Sequence, residues 1–203
     1  MRKLVAILLI VFALSGCAMA ESDVYDIQGE WYVATIYSND CYEASLDDDG
    51  CFHVAYADGN EMIASPDGVI KAYNEEYKLN LIMFGDGSSL YYTIEGNRLS
   101  AELFMQTDGI WNIYDIHDTD LVLIHNGEMI YYNETAKKLD YILQNERLYV
   151  LTDTSYLRGK IEPLDQNAFI YRYDAEPHIV TWREGMTTDY GTPYFIYIRS
   201  DIE

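Results

Sequence analysis

The chain has 203 residues, with 34 acidic side chains against 13 basic ones and a formal net charge of −21. That balance argues against nucleic acid, whose binding rests on neutralising phosphates with Lys and Arg, and against adsorption to anionic headgroups, which needs basic clusters. The length suits one large domain or two small ones, and the acidity reads first as solubility, with a cation-attracting surface as the sharper alternative.

Met1-Arg2-Lys3 precede an apolar run from Leu4 to Leu14. Early positive charge followed by an apolar run well short of the roughly 20 residues that cross a bilayer marks a secretory segment. Its ending, Leu14-Ser15-Gly16-Cys17, resembles the lipobox of bacterial lipoproteins. The resemblance implies that 1–16 is removed as a signal peptide. It also implies that Cys17 carries acyl chains such as palmitate on its thiol and new amino group. The protein is then expected in the cell envelope, lipid-anchored on the extracytoplasmic side. The alternative is an ordinary signal cleaved after Ala18-Met19-Ala20. Removing Arg2 and Lys3 leaves 11 basic residues against 34 acidic, a charge near −23, so an anionic surface repels the mature chain. Buried acyl chains, at about 0.8 kcal/mol per CH2, supply the attachment instead. Residues 17–27 read as a tether.

With Cys17 acylated, Cys41 and Cys51 remain as an even pair in an oxidising compartment. A disulfide between them would close a loop over Asp47-Asp48-Asp49-Gly50, a stabilisation of roughly 2–3 kcal/mol. A metal site from Cys41, Cys51 and His53 lacks a fourth ligand at recognisable spacing, and the consecutive aspartates lack the alternate spacing of a calcium loop. No metal and no cofactor is expected.

From 28 to 203 the pattern is that of one antiparallel β domain. Leu99, Ala101, Leu103 and Met105 alternate with Ser100, Glu102, Phe104 and Gln106, and Phe169, Tyr171 and Tyr173 with Ile170, Arg172 and Asp174. Such period-two runs argue half-buried strands. Strands are expected at 30–38, 51–57, 60–65, 69–73, 77–84, 89–95, 98–105, 110–117, 120–125, 128–133, 139–143, 147–152, 156–162, 168–174, 178–183 and 193–200. Asp-Gly and Asn-Gly pairs at 49–50, 58–59, 67–68, 86–87, 108–109 and 126–127 supply hairpin turns. Glu134 to Leu143 reads equally as a short helix or as a hairpin through 133–136, and any internal joint belongs near 133–140. The strand number exceeds an eight-stranded barrel, so either strands merge across bulges or a smaller β element follows the barrel.

Gly29-Glu30-Trp31 at the start of the first strand resembles the Gly-x-Trp signature of lipocalins, in which the tryptophan plugs the closed end of the barrel. Thr188-Asp189-Tyr190, ahead of the strand from Tyr194 to Ile198, resembles the second signature of that family. The family's arginine that packs on the tryptophan sits one strand later; Arg199 is the only nearby residue for that role. The resemblance implies a lipocalin-like barrel that carries a small apolar or amphipathic ligand.

Motifs for catalysis are missing: no Gly-x-Ser-x-Gly, no His-Glu-x-x-His and no glycine-rich phosphate loop. His117 and His125 flank a hairpin with no thiol or third histidine beside them. The expected function is therefore non-catalytic: a membrane-anchored lipoprotein binding a small apolar ligand in its barrel, with no individual ligand-binding residue singled out. The alternative draws on the 20 tyrosines and is a surface module that binds glycan or another envelope protein through a Tyr-rich sheet face.

Overall fold

A computed structural model describes residues 25–132, 137–183 and 185–202. The lipobox and Cys17 lie outside the described residues. No helix occurs among the described residues; the chain is built of antiparallel strands. It opens with β1 (Gly29–Tyr37). An inserted block follows: β2 (Tyr42–Leu46), β3 (Phe52–Ala55), β4 (Glu61–Ala64), β5 (Val69–Ala72), β6 (Glu75–Lys78), β7 (Asn80–Met83), β8 (Ser89–Glu95), β9 (Arg98–Thr107) and β10 (Ile110–Ile116). The chain continues as β11 (Asp120–His125), β12 (Glu128–Tyr131), β13 (Lys137–Gln144), β14 (Arg147–Leu151), β15 (Tyr156–Pro163) and β16 (Ala168–Tyr173). A small hairpin of β17 (Ile179–Thr181) and β18 (Thr187–Asp189) precedes the last strand, β19 (Pro193–Arg199).

These strands make two barrels. The first is closed, in the order β1-β11-β12-β13-β14-β15-β16-β19, with β19 returning to β1. The expected all-β antiparallel barrel is present, and β17–β18 is a small additional β element near the C-terminal end. The second is a nine-stranded sheet, β6-β5-β4-β3-β2-β10-β9-β8-β7, whose two edges are consecutive in sequence. β6 pairs with β5 and β7 with β8, and Leu79 between them donates its amide to the Gly68 carbonyl at 2.8 Å. The expected single strand 77–84 is thus one bent segment serving both edges, and it nearly closes the sheet on itself. Covering edges this way leaves few backbone groups free to recruit other chains.

Alternation assigns the residues. In β1, Trp31 and Val33 point into the first barrel, while Tyr32, Ala34 and Ile36 point out. The outward set joins Tyr194, Ile196 and Ile198 of β19 against Tyr92, Leu103 and Tyr114 of the second barrel. β8, β9 and β10 are therefore buried on both faces, one toward the first barrel and one toward their own interior. Full burial of each such side chain is worth about 1.5–3 kcal/mol. The chain passes between barrels at 38–41 and 117–119, and Thr119 fixes the second passage by exchanging hydrogen bonds with Leu99 at 2.9 and 3.2 Å. Residues 137–140, near which a joint was expected, belong to β13. That strand also replaces the helical reading of the described part of 134–143.

The disulfide expectation is corrected: Cys41 and Cys51 are both free. Cys51 lies opposite Asp47, which donates its amide to the Cys51 carbonyl, while Cys41 sits at the far end of β2. Six residues of extended chain span about 20 Å, whereas a disulfide needs Cα atoms within about 7 Å. Cys41 Sγ instead faces the Ser38 carbonyl and Asn112 Oδ1.

Candidate functional site

The first barrel is solid at its lower end, where the chain enters at Tyr25. Trp31, Phe169, Tyr171 and Tyr197 fill it, all with under 2 % exposure. The Phe169 ring stacks on Tyr197 at 4.4 Å and meets Trp31 edge-on at 4.9 Å. Gly159 makes room: a Cβ there would come within 2.6 Å of the Tyr171 ring. The polar atoms are satisfied. Trp31 Nε1 donates to the Ile27 carbonyl at 2.9 Å and the Tyr171 hydroxyl to the Leu148 carbonyl at 3.2 Å. Burial, with Tyr131 beside it, pushes the Tyr197 hydroxyl well above the ordinary tyrosine range.

Arg199 closes this end. Its guanidinium lies 4.1 Å from the Trp31 ring centre and donates to the Gln28 carbonyl at 2.6 Å. Gly29 is required beneath it, since a Cβ there would sit 1.9 Å from Arg199 Nη1. The Arg–Trp contact expected from the sequence is therefore present, made from the last strand of the barrel, which is also the strand after Thr188-Asp189-Tyr190. The upper half is looser. Inward-facing Thr35 is exposed, and Leu139, Leu157, Tyr173 and Phe195 are half-buried around it. Tyr190 of the second signature joins Tyr37 and His178 in an aromatic trio with centroids 5.0–6.0 Å apart.

The second barrel is apolar through its middle, where Phe52 stacks on Phe104 at 4.4 Å above Ile70 and Val54. Its two ends differ. The end on the Tyr25 side carries a hollow of about 200 Å3 beside Phe52, Leu81, Met83 and Trp111. This end adjoins the closed end of the first barrel, for Gly85 approaches the Leu164 carbonyl. The opposite end is a ring of tyrosines over acids. Tyr42 meets Tyr56 edge-on at 5.3 Å, and Tyr56 stacks on Tyr73 at 5.5 Å. Tyr42, Tyr73 and Tyr77 are 48 %, 53 % and 40 % exposed. Tyr73 holds a φ of +52° in the two-residue turn between β5 and β6. Asn or Gly ordinarily occupies such a turn, and a bulky side chain there is a backbone outlier.

Glu102 of β9 stands directly opposite Asp115 of β10 beneath these rings. Burial, then the hydrogen bond and charge of Asp115, pushes the Glu102 carboxyl up to about 8. Glu102 Oε2 is buried and has no hydrogen-bond partner among the described residues. The same field reaches the tyrosines: burial first and Glu102 second push the Tyr56 hydroxyl up to about 12, and both raise Tyr77 as well. None of the ion pairs among the described residues includes Glu102 or Asp115.

Other groups single themselves out less. His53 sits between Asp47 and Glu61, 2.9 Å from each, on the exposed outer face of β3. Both partners raise its pKa, Glu61 most. The His125 ring hydrogen-bonds the Asn126 side chain at 2.7 Å. No cluster of three His, Cys, Asp or Glu suited to a metal ion occurs among the described residues. A hollow of about 340 Å3 lies at the Tyr25 end of the first barrel between Tyr25, Leu143, Lys160 and Pro163, and Trp182 is half exposed at the β17–β18 turn.

Sequence reasoning missed the Glu102–Asp115 pair, although a signal for it existed. A two-residue turn at Asp108-Gly109 pairs Thr107 with Ile110, and counting back along both strands sets Glu102 against Asp115. Comparison with protein-family models, with curated proteins and with solved structures returns no match, so the chemistry of this mouth rests on its own geometry.

Proposed function

We propose that this is an envelope lipoprotein, anchored through Cys17, that binds a small ligand without catalysis at the tyrosine-ringed mouth of its second barrel. The observation that carries the reading is the Glu102 oxygen beneath exposed tyrosine rings, the one buried side-chain oxygen or nitrogen without a hydrogen-bond partner among the described residues. Placement supports it too. The mouth and the looser half of the first barrel lie at the end away from Tyr25, so both face the aqueous envelope space when the tether runs to a membrane. Hydrolytic chemistry is a poor fit to the acid pair. Glycosidases hold their carboxyls about 5 Å or more apart, and here the two are within hydrogen-bonding reach of each other.

A second reading follows from the family resemblance and the Arg199–Trp31 closure: a lipocalin-like first barrel carrying an apolar ligand. Its packed lower half confines such a ligand to the cup around Thr35 and Phe195. Native mass spectrometry of the full chain released from its host membrane separates the two. A bound small molecule lost from a Glu102→Gln, Tyr56→Ala variant supports the mouth, one lost only from Phe195→Ala supports the cup, and spectra without any bound molecule count against both. For the anchor, Cys17→Ala is expected to move the protein from the membrane to the soluble fraction; unchanged fractionation overturns acylation at Cys17.

A further inference from the structure

We propose that the mouth of the second barrel takes a small organic cation bearing N–H donors, an alkylammonium group. This rests on the reading that the mouth is the ligand site, and it assigns the class of ligand.

The tyrosine rings supply one half of the match. Aromatic faces attract cations through their quadrupole, and more strongly when water is excluded. Tyr42, Tyr56 and Tyr73 make a continuous row, and Tyr77 stands close enough to Glu102 and Asp115 to feel their charge. Tyr73 is held in this row at a backbone angle that a tyrosine seldom adopts. The turn therefore presents a ring at a conformational cost that a turn-forming residue would avoid.

The acids supply the other half. Glu102 and Asp115 face one another beneath the rings, Glu75 lies near Tyr77, and none of the ion pairs among the described residues includes any of the three. Elsewhere the protein does pair its acids with bases across neighbouring strands, as in Arg172–Glu162 and Arg158–Asp174. Glu102 Oε2 is closed off from solvent and has no donor among the described residues. Leaving a buried polar group in that state costs stability. A ligand N–H inserted between the exposed rings recovers it, and the accompanying positive charge suits the acidic surroundings. An anion meets repulsion at the same place. A neutral alcohol or sugar can donate to the oxygen but brings no positive charge to the acidic mouth. A metal ion wants three or more hard ligands converging on one point, and no group of His, Cys, Asp or Glu among the described residues is placed to hold one. An ammonium with N–H groups satisfies the oxygen, the charge and the rings together.

The test uses the full chain in a neutral detergent at about 0.15 M salt, where long-range attraction by the net charge is screened. Tyrosine ring resonances, assigned by Tyr→Phe variants, are followed by NMR during titration with ethylammonium, tetramethylammonium, 1-propanol and methyl α-glucoside. Ethylammonium is expected to shift Tyr56, Tyr73 and Tyr77 with an affinity about tenfold or more above that of tetramethylammonium and 1-propanol. Glu102→Gln and Asp115→Asn are each expected to weaken it about fivefold or more. The Asp48→Asn, Asp49→Asn double variant removes two charges at the opposite end of the barrel and is expected to leave affinity within about twofold. Equal binding of tetramethylammonium or 1-propanol overturns the proposal, as does an unaffected Glu102→Gln or an equal loss in the double variant. Should the glucoside or propanol bind at these tyrosines and ethylammonium fail, the cation assignment falls and the mouth stands as the site. Should none of the four perturb the tyrosines and the native spectra be empty, both fall.

Discussion

The two barrels share a wall and a building rule, and they differ in how completely they satisfy themselves. In the first, hydrogen bonds settle Trp31 Nε1 and the hydroxyl of Tyr171, and Arg199 lies over the plugging tryptophan. In the second, a well-packed middle gives way at one end to a carboxyl oxygen without a partner, a tyrosine at positive φ and a row of exposed rings. Local rules of stability are broken together, in one place. Such clustering is what a working site looks like, because a functional group must be kept available instead of being neutralised by its own fold. On the proposed reading the first barrel is scaffold and the mouth of the second is the part that is used.

The largest expected effect tests the scaffold. Trp31→Ala removes the side chain on which Phe169 and Arg199 rest, and such truncations cost about 3–5 kcal/mol. For a domain of this size that lowers Tm by roughly 10 °C. Because Tyr32, Ile36 and Ile196 of the first barrel share one apolar layer with Leu103 and Tyr114 of the second, calorimetry is expected to show both barrels melting in one shifted transition. Two separated transitions would break the comparison by showing independent domains.

Much of the scaffold was legible and little of the site was. Alternation at 99–105 and 168–174 marked strands correctly, and Gly29-Glu30-Trp31 with Arg199 marked the closed end. The insertion was not legible, because 42–116 repeats the same alternation and no linker rich in Pro, Gly or Ser announces the passages at 38–41 and 117–119. The strand Tyr42–Leu46, reading Tyr-Glu-Ala-Ser-Leu, has no run of β-branched residues, so a bridge between Cys41 and Cys51 looked reasonable across what proved to be an extended strand. The break at Leu79 depends on a tertiary hydrogen bond to Gly68 and has no local signature. Glu102 looked like any solvent-facing member of an alternating strand; only the sheet's closure makes its face an interior one.

The next effect sharpens the contrast through pH. Glu102 has a folded pKa near 8, raised by burial and by Asp115, against an ordinary value of 4.5. The folded state then holds more protons than the unfolded state between these values, so stability is fully present below about 4.5, falls as pH rises and is lost by about 8. The loss is of order a few kcal/mol. Asp115, Glu75, Tyr56 and Tyr77 face or neighbour the group, and none of them supplies a base. Glu102→Gln is expected to match the native protein in denaturant titrations at pH 4.5 and to exceed its stability by a few kcal/mol at pH 8.5. A variant weaker than the native protein at pH 8.5, or one that keeps the same slope with pH, would show the carboxyl to be structural.

The smallest effect concerns Tyr73. A non-glycine residue in the left-handed region gives up roughly 1 kcal/mol, and Asn tolerates that region better than tyrosine does. Tyr73→Asn also sets an asparagine beside Asn74, and two asparagines suit the type I′ geometry that joins β5 to β6. Against this stands the stacking of Tyr73 on Tyr56, worth about 0.5–1.5 kcal/mol where an aromatic pair is buried and less here, since Tyr73 is 53 % exposed. The backbone term therefore wins narrowly, and thermal melts are expected to show Tyr73→Asn equal to or up to about 1 kcal/mol more stable than the native chain. The same substitution removes a ring from the mouth and is expected to weaken ethylammonium binding. A gain in stability with a loss of binding is the signature of a residue kept for use; a loss in both would return Tyr73 to the packing of the barrel and narrow the difference between the two halves of the molecule.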